Sequence, residues 1–395
     1  MTDSARERQQ FPTWPAFDQE MVAASTEVLT SGRVNYWTGE HGRAFETELA
    51  TFVDRRHALV LSNGTVAIEL GLRALGVGPG DEVIVPSRTF IATASAVVAV
   101  GAVPVVADVD ADTQGLSART VTDVLTPRTR AIIAVHLGGC PVEWEPLQRL
   151  AEQRGLWLIE DCAQAIGATY QGRRIGSLGH LAAFSFCQDK IVTTAGEGGA
   201  LVLDDEEVFR RAWSYRDHGK SFEAVFEREH PPGFRWLHES FGTNFRLSEV
   251  QSAVGRVALR RLPEWLEQRQ RNAEVLTARL SGHPLLRLPS IPNDSGPAWY
   301  RWYAFLQSEL LAPGWDRDRI VTEVAALGTP CFSGSCGEIY REGAFASQRP
   351  VAPFPVAHEL GETSLALLVH PTAGVQHLEQ AAVDLLQVLE RATAG

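Results

Sequence analysis

Short apolar runs alternate with amphipathic stretches through the first half of this 395-residue chain, and no other feature constrains the fold as tightly. His57–Ser62, Val83–Pro86, Pro104–Asp108, Ala131–Val135, Trp157–Glu160, Ala182–Phe186 and Ala200–Leu203 read as strands. Asp18–Leu29, Gly42–Val53, Gly64–Leu75 and Thr89–Val100 carry helical patterns. Strands that are apolar throughout must be buried on both faces, so the pattern predicts an α/β fold with a mainly parallel sheet between helices. Further on, Leu259–Leu280 reads as a long charged helix interrupted by Pro263, and the rhythm then changes. Tyr300–Leu306 suggests a strand; Arg317–Leu327 and Gln376–Ala392 suggest helices. The expected organisation is an N-terminal arm (1–17, the first 15 residues loose), a large domain (18–264) and a smaller C-terminal α/β domain (265–395).

The chain is long enough for two domains and a sizeable core. Its net charge of -12 disfavours nucleic acid or an anionic membrane as a partner. A local cationic pocket for an anionic small molecule stays compatible with that balance. The N-terminus lacks the apolar centre of a signal peptide, and no uncharged run approaches the ~18–20 residues that span a bilayer. Cys140, Cys162, Cys187, Cys331 and Cys336 are odd in number and form no CxxC pair, which predicts reduced thiols, a cytoplasmic setting and no metal site.

Ligands of open α/β sheets sit beyond the carboxyl ends of the strands, and polar clusters fall at those places here. Ser62-Asn63-Gly64-Thr65 follows a strand and opens a helix, where free amides suit a phosphate or the turn is simply an N-cap. Asp161, after the run Trp157-Leu158-Ile159, could hold a protonated ring nitrogen or cap the next helix. Phe90 could stack on a planar ring or belong to the core. The sharpest cluster is Ser185-Phe186-Cys187-Gln188-Asp189-Lys190, where a lysine follows a strand end and Gly196, Gly198 and Gly199 come after it. A lone lysine is usually solvated. One desolvated in a polar cluster has a depressed pKa and becomes a nucleophilic amine.

Taken in order, SNGT (62–65), PSRTFIATASA (86–96), IEDCAQAIGA (159–168), SFCQDK with GEGG (185–190 and 196–199) and GTNFRLSEVQSAVG (242–255) resemble the DegT/StrS family of sugar aminotransferases. The resemblance runs from about Gly32 to the C-terminus. It implies the PLP-dependent transferase fold type I and pyridoxal 5'-phosphate (PLP) as cofactor, held by Lys190 as a Schiff base. It further implies that Asp161 pairs with the ring nitrogen, Phe90 stacks on the ring and Gln164 lies near the ring oxygen. Gly64, Thr65 and Ser185 would hold the phosphate, and Asn244 would reach the phosphate of the partner subunit, so a homodimer with shared sites is implied. Cys187 departs from the His or aromatic residue that many members carry there. Lys190 argues against the dehydratase branch, in which His replaces it.

The implied reaction is ping-pong transfer of an amino group, usually from L-glutamate, to a 4-keto or 3-keto group of a nucleotide-linked deoxy sugar, with the 4-keto favoured. Rival readings are amination of a cyclitol ketone and a non-catalytic PLP-binding regulator. His136 either faces the pocket or is a core histidine. Arg246 either forms a salt bridge or touches a substrate phosphate. One of the segments Phe332–Tyr340 and His370-Pro371 is expected to border the sugar site, and Gly219–Trp236 reads as a loop near it.

Overall fold

The computed structural model describes residues 10–232, 235–347 and 349–393. The apolar runs form one seven-stranded sheet: β1 (His57–Leu61), β2 (Glu82–Pro86), β3 (Val103–Ala107), β4 (Thr129–Val135), β5 (Trp157–Asp161), β6 (Leu181–Ser185) and β7 (Gly199–Leu203). Their spatial order is β1-β7-β6-β5-β4-β2-β3. β7 runs antiparallel to both β1 and β6, while the neighbours from β6 to β3 are parallel. Alternate residues of each strand serve opposite faces. Val60, Ile132, Leu158 and Phe184 pack with α1 (Gln19–Ser31) and α2 (His41–Phe52). Leu59, Ile133, Ile159 and Leu201 pack with α3 (Gly64–Ala74) and α4 (Ala92–Ala99) on the other side.

Two expectations are corrected here. The long helix is continuous from Glu249 to Leu280; it starts ten residues earlier than the charge pattern suggested, and Pro263 does not interrupt it. Ser248 caps it through Gln251. Pro263 is exposed, so its ring points to solvent rather than into the core. The cost of an interior proline is about 3 kcal/mol. Val254, Val257, Ala258 and Leu262 are buried under the large sheet, and burying each large apolar side chain returns about 1.5–3 kcal/mol. From Ala273 through Leu276 to Leu280 the same helix belongs to a second core. That core covers a four-stranded antiparallel sheet built on Trp302–Leu306 and Ser364–Leu367, flanked by Leu286–Arg287 and Cys331–Phe332. The chain thus passes from one core to the other inside a helix.

The second correction concerns the arm. Residues 1–9 lie outside the described residues, but the rest of the arm is not loose. Phe11 packs edge-on against His370 and His377, at centroid distances of 5.5 and 5.9 Å. Thr372 donates its hydroxyl to the Thr13 carbonyl at 2.9 Å. Among the described residues no helix is long and apolar enough to cross a membrane.

Candidate active site

The carboxyl ends of β1, β2, β4, β5 and β6 open onto one cavity of about 810 Å3, closed on its far side by residues of the smaller domain. β1 leads through Ser62 to Asn63, whose side chain accepts the Val66 N–H at 3.0 Å and caps α3. The turn is therefore an N-cap, and it still leaves backbone amides free beside it. Asn63 takes one of the first free amides, and those of Gly64 and Thr65 have no acceptor among the described residues. They carry the positive end of the α3 dipole to the cavity wall. Gly64 has to be glycine: a Cβ there would sit 2.8 Å from the Ser185 Cβ. Gly199 answers it from β7, where a Cβ would come within 2.4 Å of the Asn63 carbonyl carbon. Gly64 and Gly199 thus let three chain segments meet at the start of α3.

Asp161 ends β5 and points into the cavity, while Glu160, one residue earlier, points to the opposite face. The Asp161 carboxylate accepts the Thr93 hydroxyl at 2.9 Å and the Ala163 N–H at 3.1 Å. Thr89 in turn lies 2.9 Å from Thr93. Burial pushes the Asp161 carboxyl above its ordinary range, against the pull of those two donors and of the Lys190 charge. Lys190 stands across the cavity in an irregular bend after β6. Burial pushes its amine below the ordinary lysine value, and the negative charges of Asp189 and Asp161 only partly oppose this. Its Nζ lies 4.9 Å from the Tyr300 ring centroid. Phe90 is 65% exposed, and the surface it exposes lines the cavity, so its ring face is open rather than spent in the core. Gln164 accepts the Gly138 N–H through Oε1 at 2.7 Å.

Seven of the eight residues expected at the cofactor meet here: Gly64, Thr65, Phe90, Asp161, Gln164, Ser185 and Lys190. Asn244 does not. It lies on the exposed surface, its side chain accepts the Arg246 N–H at 3.3 Å, and it is not the helix cap, because Ser248 is. Arg246 forms the salt bridge, with Asp217. His136 is a core residue: wholly buried, it accepts the Val142 N–H and lies 3.4 Å from Glu160. Phe332, Gly334 and Ser335 do border the cavity, whereas His370 stays behind it against Phe11 and Trp14. Gly219–Trp236 is not all loop, since Phe222–Phe226 is helical, and it does not line the cavity of its own chain. Residues 233 and 234 lie outside the described residues.

Sequence reasoning missed Thr93, Asp189, Tyr300 and Arg301. Asp189 accepts from the Tyr300 hydroxyl and lies 3.2 Å from the Arg301 guanidinium. Tyr300 and Arg301 are separated from Lys190 by the whole long helix, and no local spacing signals the meeting. Thr93 could have been found, since it sits one helical turn after Thr89 on a segment that follows a strand end.

A half-buried lysine with a desolvated amine and a buried carboxylate below a helix N-terminus, at the carboxyl edge of this sheet, are the arrangement of a fold-type I PLP-dependent aminotransferase, and the chain is one. Comparison with known proteins narrows the class: the DegT/DnrJ/EryC1/StrS aminotransferase family matches residues 15–384, and the chain belongs to that family. The X-ray structure of an aminotransferase from Psychrobacter cryohalolentis is 47% identical and superposes with a TM-score of 0.94, covering 97% of this chain and 99% of that one. The dTDP-3-amino-3,4,6-trideoxy-alpha-D-glucose transaminase of Streptomyces venezuelae is 36% identical over 91% of this chain and 88% of its own. The GDP-perosamine synthase of Caulobacter vibrioides is 40% identical over 74% of this chain and 76% of its own.

Proposed function

We propose that the chain transfers an amino group from an amino acid, L-glutamate in the first place, to the keto group of a nucleotide-linked deoxy sugar in amino-sugar biosynthesis. The observation that carries this is the pairing of Lys190 and Asp161 across one cavity that also opens a helix N-terminus. The donor set fits PLP. Two amides without an acceptor and the Ser185 hydroxyl suit a phosphate, Asp161 suits a protonated ring nitrogen, and the open face of Phe90 suits a flat ring. Bound PLP supplies an electron sink for the substrate carbon that exchanges its amino group.

The rest is the work of this chain's residues. Asp161, held by Thr93 and Ala163, gains a cationic partner and with it relief from the cost of ionising in a buried place. Lys190 binds the cofactor through an amine that burial keeps from holding its proton tightly. The same amine, once free, carries a proton to or from the substrate carbon. Gln164 offers its NH2 to the ring oxygen. The walls of the smaller domain exclude water from the reacting atoms.

The working unit we propose is a homodimer with shared sites, Asn244 serving the partner's phosphate. Charge supports it. The diphosphate of a nucleotide-linked sugar is dianionic, yet the cavity lining in one chain carries Asp161, Asp189 and Glu197 against Lys190 and Arg301. A second subunit can supply the missing cations. C4 is favoured over C3 from the sequence resemblance, while the Streptomyces venezuelae relative is a transaminase of a 3-amino sugar. The experiment is a panel of 3-keto and 4-keto nucleotide sugars offered with L-glutamate, product being read by mass spectrometry. Turnover of a 4-keto sugar is expected. Glutamate-dependent amination of a cyclitol ketone, with every nucleotide sugar refused, would overturn the reading.

A further inference from the structure

The nine apolar and polar residues from Gln10 to Asp18 look at first like a lead-in to α1, but one of them reaches the lysine bend. Trp14 donates its indole Nε1–H to the Lys190 carbonyl oxygen at 2.9 Å, across 176 positions of sequence. The same lysine donates its backbone N–H to the Cys187 carbonyl at 3.1 Å. Peptide groups are planar. Holding the N–H on one side of Lys190 and the C=O on the other therefore fixes both flanking planes, and with them the direction of the Cα–Cβ bond. The bend itself has no helix or strand to fix it.

Trp14 is well placed to act as a fixed donor. Its ring meets Trp265 edge-on at 5.1 Å, lies nearly parallel to His370 at 6.2 Å, and carries the Arg269 guanidinium at 5.3 Å from its centroid. Trp265 and Arg269 are one turn apart on the long helix, and His370 belongs to the smaller domain. The neighbouring Thr13 is tied down by Thr372. Two separate parts of the fold, the long helix and the segment around His370 and Thr372, thus seat one indole so that its N–H meets one carbonyl.

We propose that Trp14 is a positioning residue for Lys190: the N-terminal arm straps the lysine bend and aims the amine at the cavity. The proposal rests on Lys190 being the residue that carries PLP. Trp14 does not line the cavity, and it acts through the direction of the lysine side chain.

The test replaces Trp14 by β-(3-benzothienyl)alanine, which keeps the bicyclic shape and removes the N–H, and separately by Trp14→Phe. The first step reduces the PLP-loaded wild type with borohydride and maps the adduct. An adduct on another lysine overturns the reading of Lys190, and the proposal with it. With the adduct on Lys190, three quantities are compared in wild type and variants. They are the pH midpoint of the visible PLP band, the rate of its conversion by L-glutamate in a single turnover, and the competitive-labelling reactivity of Lys190 in PLP-free protein. The expected result for the isostere is a conversion rate down by about 5–10-fold, the size of effect one neutral hydrogen bond exerts. The midpoint and the labelling reactivity should shift with it, at unchanged KM for L-glutamate. An isostere that folds and matches wild type in all three overturns the strap while leaving Lys190 in place. Should the isostere not fold, Trp14→Phe is read by the same three measurements.

Discussion

Glu160 and Asp161 are neighbours on β5, both are buried carboxylates, and the protein treats them in opposite ways. Glu160 is saturated. It accepts the backbone N–H groups of Gly176, Leu178 and Gly179, each at 2.8 Å, with His136 at 3.4 Å and Arg55 at 3.7 Å. Burial alone would push its carboxyl up, but His136 and those amides hold it below the ordinary range. Asp161 has two donors, and burial wins. The contrast separates a carboxylate that closes a structure from one that awaits a partner. The first has every lone pair answered by the fold, while the second is kept in a buried place at a cost that a cationic ligand can remove.

The largest effect that would break this comparison is on the other side of the cavity. Lys190→Ala should lower transamination by about 10⁴-fold or more, because binding and proton transfer are lost together. Residual turnover within tenfold of wild type in a steady-state assay would sink the role of Lys190. Next come the two carboxylates themselves. Asp161→Asn should lower turnover by roughly 10²–10³-fold with PLP still bound, since the ring nitrogen loses its anionic partner. In PLP-free protein the sign reverses. The folded state holds the Asp161 proton more tightly than the unfolded chain, so ionising it costs stability as pH rises past the ordinary carboxylate range. Asp161→Asn removes that cost, so the melting temperature of the PLP-free protein should rise at neutral pH and stay unchanged in acid. Glu160→Gln should do the opposite: lose roughly 3 kcal/mol in denaturant unfolding at neutral pH, as a broken buried ionic network does, with near-normal turnover in the molecules that remain folded.

This pair also shows what the sequence could tell. Alternation along β5 makes Glu160 and Asp161 face opposite ways, but which face holds the cavity is decided by strand order, not by the local pattern. The capped turn that opens α3, the lysine bend and the close-packed glycines were legible because each is a local device of strand end, cap and close approach. Tyr300, Arg301 and the indole of Trp14 were not, because they arrive through the smaller domain and the arm, whose contacts are set by tertiary packing. The same packing made one helix of Glu249–Leu280 across an exposed proline. Phe90 was ambiguous for another reason: an aromatic ring after a strand end fits a core or a cavity wall equally, and its exposure settles the matter.

Asn244 gives the next effect in size. Its own chain leaves it on the surface, away from the cavity. Mixing Lys190→Ala with Asn244→Ala protein and allowing subunits to exchange should bring activity to about a quarter of wild type, since half the dimers are then hybrids with one intact site. Absence of recovery despite verified exchange, with each parent impaired, would place Asn244 outside the partner's site.

The smallest effect belongs to Gln164, which stands between the two carboxylates in kind. One end of its amide is answered by the fold, because the Gly138 N–H donates to Oε1 at 2.7 Å. An N–H can donate only to the oxygen of that amide, so the NH2 is turned away from Gly138 and its donors are left for a ligand. Gln164→Glu keeps the acceptor for Gly138 and replaces the outward donor by a second acceptor with negative charge. A nearby negative charge makes a proton harder to remove. The visible band of bound PLP should therefore titrate at higher pH, and kcat should fall by about tenfold, while the new carboxylate, buried like that of Asp161, should lower the melting temperature at neutral pH and leave it unchanged in acid. An unshifted titration would leave Gln164 as a brace for Gly138, satisfied at one end and idle at the other. The difference between Glu160 and Asp161 would then not extend to uncharged side chains.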